Sequence, residues 1–227
     1  MKYVSFKRLS LPLRFGPKLR LSHRRRRIRG DESAVKVDDD FIEAIDLRLL
    51  SPEVIVDNEE THSAIQFVRL GYNLELPEGV ALSWVRFRVD MFSRDSSERT
   101  VPANVISLIP QQVQSDAVFD GRIAVYDSGE IERESVTASQ GGPSAVRFEP
   151  FGLGYKIGSS QLVWDFLPLY GRPPTGTDNL IVSMRTDHQD ALYSSSSAQI
   201  RVVHRALGAM TLEHPAEVQQ IRATPEI

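Results

Sequence analysis

Short apolar runs separated by turn-forming clusters constrain this chain more than any other feature. The runs "SAIQFVRL", "LSWVRFRVDMF", "NVISLI", "RIAVYD", "QLVWDF", "NLIVSMRT" and "AQIRVVHR" are rich in β-branched and aromatic residues. Between them stand clusters such as Leu76-Pro77-Glu78-Gly79, Gly141-Gly142-Pro143 and Pro173-Pro174-Thr175-Gly176, which favour turns. No window before residue 213 sustains a helical period. Seven or more such runs predict an all-β chain, an antiparallel β-sandwich of jelly-roll or immunoglobulin-like type.

The alternation also assigns faces, because successive side chains on a strand point to opposite sides. Val85, Phe87, Val89 and Met91 fall on one face, and Trp84, Arg86, Arg88 and Asp90 on the other. Leu180, Val182 and Met184 read as inward-facing, as do Ile200 and Val202. "GRIAVYDSGEIERES" reads as a hairpin turning at Asp127-Ser128-Gly129. "FIEAIDLRLLSP" fits either a short helix capped by Asp40 or a strand carrying Ile45, Leu47 and Leu49. Residues 207–227 leave the sheet pattern, and "HPAEVQQIRA" with Pro215 in its first turn suggests a short helix.

Charge divides the chain. Residues 1–30 hold eleven Lys or Arg and no Asp or Glu, whereas the remainder holds 16 basic and 30 acidic residues. This predicts a basic arm over residues 1–30, a β-sandwich domain over 31–206 and a C-terminal tail over 207–227. Leu11, Leu13 and Phe15 alternate, and Pro12, Gly16 and Pro17 interrupt any amphipathic helix. The arm therefore reads as an extended segment that pairs with a sheet edge, with Arg24, Arg25, Arg26 and Arg27 meeting an acidic surface. Arg clusters also neutralise nucleic-acid phosphate, which is the main rival. Trp84, Arg86 and Arg88 are residue types that anchor interfaces, and Arg185, Arg201 and Arg205 would extend that patch.

Catalysis finds little support. The chain has no Cys, which removes thiolate metal sites, disulfides and Cys nucleophiles together. His62, His188, His204 and His214 show no metal-ligand spacing. Asp187, His188 and Asp190 lie near Ser194–Ser197, which suggests a hydrolase as a further alternative. No nucleophile elbow places such a serine, and the serine run reads as a loop. Gly152, Gly154 and Gly158 are followed by a strand-like run, not by the helix a phosphate loop needs. Glu130, Glu132 and Glu134 line one strand face and read as solvated; a hard cation such as Ca²⁺ is the alternative, but the spacing lacks the turn that would converge them. No stretch reaches the length of an apolar membrane-spanning helix.

The expectation is thus a non-enzymatic, cytoplasmic interaction module. It docks a protein partner or a second copy of itself through the basic arm, as a complex subunit, and needs no cofactor or metal.

Overall fold

The computed structural model describes residues 2–4, 14–23, 39–56, 65–95, 97–109, 118–119, 121–125, 131–135, 146–147, 152–155, 158–168, 176–185 and 191–223. The first third carries strands β1 (Lys2–Val4), β2 (Phe15–Lys18) and β3 (Ser22–His23), helix α1 (Asp39–Ala44), then β4 (Asp46–Leu50), β5 (Glu53–Val56) and β6 (Ile65–Glu75). The middle carries β7 (Val80–Arg94), β8 (Thr100–Pro102), β9 (Asn104–Ile109), β10 (Val118–Phe119), β11 (Gly121–Val125), β12 (Ile131–Ser135) and β13 (Val146–Arg147). The last third carries β14 (Gly152–Tyr155), β15 (Gln161–Phe166), β16 (Gly176–Arg185), β17 (Ala191–His204), β18 (Gly208–Gln220) and β19 (Arg222–Ala223).

Two seven-stranded sheets result. One runs β14-β15-β7-β17-β18-β3, with β8 paired to the end of β7. The other runs β19-β5-β6-β16-β9, and adds β4 beside β6 and β2 beside β4. The described ladders are antiparallel apart from the short parallel pair β19–β5. The all-β, antiparallel expectation therefore agrees with the structure.

The inner faces of the two sheets share one core. Burial alternates along β7, with Val85, Phe87, Val89 and Met91 buried, as the sequence pattern requires. Tyr72 of β6 meets Phe166 of β15 edge-on at 5.4 Å and Phe87 of β7 at 6.2 Å. Trp164 lies behind Phe87 at 6.3 Å. Burying each such side chain is worth about 1.5–3 kcal/mol, so this aromatic cluster fixes how the sheets meet. Along one side, main-chain bonds stitch the sheets together. Ala103 N–H donates to Met91 O at 3.0 Å and Gly158 N–H to Val105 O at 2.7 Å.

The N-terminal segment is part of this body. β2 pairs with β4 in one sheet and β3 pairs with β18 in the other. Between them Leu19 is buried in the shared core, and its N–H donates to Leu47 O at 2.8 Å. The division into an arm over 1–30 and a separate body therefore does not hold at residues 14–23. The C-terminal expectation also changes. Residues 208–220 form β18, held against β17 over eleven register pairs, and not a helix. Met210 and Leu212 alternate into the core, and cross-strand pairing outweighs the weak helical signal of "HPAEVQQIRA".

α1 and β4 resolve the ambiguity of "FIEAIDLRLLSP" by using both readings in succession. The outer face of the β6 sheet behaves differently from a solvated face. Ile55, Phe67, Ile181 and Ser183 are buried although they lie outside the inter-sheet core. Arg69 is buried there too, paired with Glu53. Of the described strands between β9 and β14, β12 lies near β9 and β13 near β16. Ser183, on the face opposite Leu180, Val182 and Met184, is buried all the same.

Candidate functional site

The outer face of the β7 sheet carries a groove of about 330 Å³ lined by Arg86, Arg88, Ser197, Gln199, Glu213 and His214, with Ser22 and Pro215 at its rim. Its origin is a defect in the ladder. Ser196 pairs with Glu217 and Ala198 with His214, so Pro215 and Ala216 together oppose the single residue Ser197. Proline has no N–H to give the ladder, and a strand accommodates it at a bulge. The bulge lifts β18 away from Ser197 and opens the sheet surface.

Cross-strand register then decides which side chains meet. Asp165, Arg86, Gln199 and Glu213 form one row across β15, β7, β17 and β18. Arg88 and Ser197 are partners in the adjoining row. Arg86 donates a two-pronged pair of bonds to Asp165, at 2.6 and 2.8 Å, and its guanidinium lies 5.7 Å from the Trp84 ring centre. Gln199 Nε2 donates to Glu213 Oε2 at 3.1 Å. Arg88 is exposed and has no ion-pair partner among the described residues.

His214 clamps the rim. Its Nδ1 lies 3.1 Å from the Arg20 carbonyl oxygen. A carbonyl only accepts, so Nδ1 carries the proton. Nε2 is sealed from solvent, lacks a hydrogen-bond partner and stands 3.5 Å from a Glu217 carboxylate oxygen, beyond good hydrogen-bond range. Ser22 Oγ donates to Glu213 O at 3.3 Å, a second tie between the N-terminal segment and β18. Elsewhere on this face Phe92 and Tyr193 stack at 5.7 Å with Arg94 4.8 Å from the Tyr193 ring centre.

The residues singled out from the sequence are only partly brought together. Trp84, Arg86 and Arg88 share the outer face of β7, and Arg201 is the register partner of Trp84 on β17. Arg185 ends a strand of the other sheet, and Arg205 lies in the turn after β17. Phe15 is exposed on β2. Leu11, Leu13 and Arg24–Arg27 lie outside the described residues, as do His62, Asp187, His188, Asp190 and Glu130. Glu132 and Glu134 are in β12. The serine run is not a loop: Ser194–Ser197 lie in β17, where Ser194 and Ser196 are buried. Gly152 and Gly154 lie in β14, which pairs with β15, so no helix follows them. Ser197, Gln199, Glu213 and His214 were missed. The signal for Gln199 was its place between Ala198 and Ile200 in an alternating run, whereas the serine run, Glu213 and His214 carried no such pattern.

No family model matches the chain, and no curated protein does. Solved structures do. One, described as a pore-forming protein, is 11% identical, with 78% of this chain and 85% of that chain covered at a TM-score of 0.35. Clostridium perfringens delta-toxin is 11% identical, with 78% and 80% covered at 0.32. The Clostridium perfringens NetB toxin in its membrane-inserted form is 9% identical, with 78% and 87% covered at 0.28.

These comparisons overturn the expected role. One matched structure is described as a pore-forming protein, one as a delta-toxin and one as a toxin in its membrane-inserted form, and none as a cytoplasmic docking module. The cytoplasmic interaction module docking through a basic arm is withdrawn. The structure supplies its own reason as well, since Leu19 and the strands around it are occupied within the fold.

Proposed function

We propose that this chain is a membrane-permeabilising protein whose segment between β9 and β14 enters a lipid bilayer as a β-hairpin, several copies together closing a barrel. The carrying observation is the polarity pattern of that segment, read through the register of β11 and β12. Val125 pairs with Ile131 and Gly121 with Ser135, so odd-numbered residues oppose odd-numbered ones. In an extended hairpin that register would set Phe119, now paired with Val146, opposite Thr137, and Ala117 opposite Ser139. The odd positions of 113–125 and 131–139 hold one charged residue, Arg133, among twelve. The even positions of 114–124 and 130–140 hold six charged residues among twelve, namely Asp116, Asp120, Arg122, Glu130, Glu132 and Glu134.

A hairpin with one nearly uncharged face and one charged face suits a bilayer pore, with lipid on one side and water on the other. Residues 113–125 also exceed the roughly 9–11 residues a tilted strand needs to cross the hydrocarbon layer. A closed barrel leaves no unpaired backbone in lipid, which a single hairpin cannot achieve, so self-assembly is part of the proposal. In the present fold β10 pairs with β13 and β11 with β1. Insertion therefore requires these short pairings to exchange for one long hairpin. We read the remaining two sheets as a β-sandwich scaffold that works without covalent chemistry.

The test uses dye-loaded vesicles and single cysteines, which a chain lacking Cys permits without background. The protein is expected to release dye. An environment-sensitive label at Ile123 or Val125 should shift to a lipid-like emission on release, and at Arg122 or Ala124 it should stay water-like. Release with no alternation between odd and even positions would exclude the hairpin, and no release from any vesicle composition would exclude the function.

A further inference from the structure

We infer that the groove over the β18 bulge is a binding site for an acidic sugar, its carboxylate held by Arg88 and its hydroxyls by Gln199, Glu213 and Ser197. The charge balance of the groove carries the inference. Arg86 is committed to Asp165 through two bonds at 2.6 and 2.8 Å, so its charge is matched within the sheet. Arg88 projects from the same face two residues away and has no ion-pair partner among the described residues. Its guanidinium is the cation available to a ligand, and its fork suits a planar carboxylate.

A bare anion does not fit the rest of the lining. Glu213 stands on the next row and would repel one, and a carboxylate accepts hydrogen bonds without donating any. The Gln199 amide, with one N–H given to Glu213, still presents its carbonyl oxygen and its second N–H, and the Ser197 hydroxyl can both donate and accept. Such a lining asks for a ligand with one negative charge and several hydroxyl groups beside it. Sugar acids have that composition. The volume of about 330 Å³ lies at the small end of ligand sites, suited to one substituted ring. The bulge that makes the groove also prevents a neighbouring strand from filling it, because Ser197 has no residue directly opposite on β18.

No described residue between β9 and β14 lines the groove, and ligand binding can be read on the protein in solution whatever happens on vesicles. Titration calorimetry with glucuronate, glucose, acetate, inorganic phosphate and phosphocholine tests it. Glucuronate is expected to bind, with glucose and acetate each at least tenfold weaker. Arg88→Gln should weaken glucuronate at least tenfold while melting like the wild type, since Arg88 is exposed and unpaired. Gln199→Leu, a second variant, should narrow the preference for glucuronate over acetate. Acetate or phosphate matching glucuronate would make the groove a plain anion site and overturn the inference. Preference for phosphocholine would assign it to a lipid headgroup and overturn it equally. Glucuronate binding unchanged in Arg88→Gln, or absent at about 10 mM, would do the same.

Discussion

Arg86 and Arg88 are two residues apart on one strand and differ in everything except type. Arg86 is matched by Asp165, with both side chains partly covered. Asp165→Ala strands a partly buried guanidinium, and thermal melting should show a loss of about 1–2 kcal/mol. Arg88→Ala should stay within about 0.5 kcal/mol, as exposed substitutions do. Asp46 gives a pH-dependent case. Hydrogen bonds from Arg48, at 2.8–3.1 Å, hold its carboxyl below the ordinary value of 3.8. A lowered folded-state pKa stabilises the protein above the unfolded-state value, and the contribution disappears as pH falls through the folded one. The pair is only partly covered, so solvent screening keeps the effect small. The melting difference between wild type and Asp46→Asn should be present at neutral pH and fade as the pH is taken well below the ordinary value of 3.8. A difference that persists there would mean the carboxylate charge is not its source.

At the scale of elements, the strands with clean alternation were legible because one buried face imposes a period of two. β7, β16 and the end of β17 are of this kind. The elements misjudged were those whose polarity hides the period. The serine run of β17 alternates in burial but not in hydropathy, and β18 places His214, Pro215 and Glu217 in a strand. The basic opening failed for a different reason. Net charge describes what a segment attracts, whereas Leu19 decides where it sits. Leu19→Ala should therefore cost about 2–4 kcal/mol, as a core residue and not as part of a removable arm. An unchanged melting temperature would restore the arm reading for residues 14–23. The β17–β18 turn offers a second check. Gly208 has φ of +73° with open space where a Cβ would stand. Gly208→Val should cost about 1–2 kcal/mol from backbone strain alone, and Gly208→Asn should cost less.

For the whole molecule, the question is whether the segment between β9 and β14 must leave its present pairings to act. Those pairings are short. β11 holds β1 over three register pairs, and β10 holds β13 over two. Ladders of that length add little stability against a continuous hairpin that satisfies its backbone within a barrel. The apolar outer face of the β6 sheet, with Phe67 and Ile181 buried, favours keeping the segment docked in water. Contact with lipid is then needed to tip the balance. Tyr3 and Ala124 are direct register partners across β1 and β11. Opposed strand residues have the separation a disulfide requires, and the chain offers no competing thiol. Tyr3→Cys with Ala124→Cys should therefore tie the hairpin to β1 when oxidised. The oxidised protein is expected to retain the fold, since the bond joins residues already paired, and to lose vesicle permeabilisation. Reduction should restore it. Equal permeabilisation in both redox states would mean that β11 never leaves β1, and that a membrane effect arises without hairpin extension.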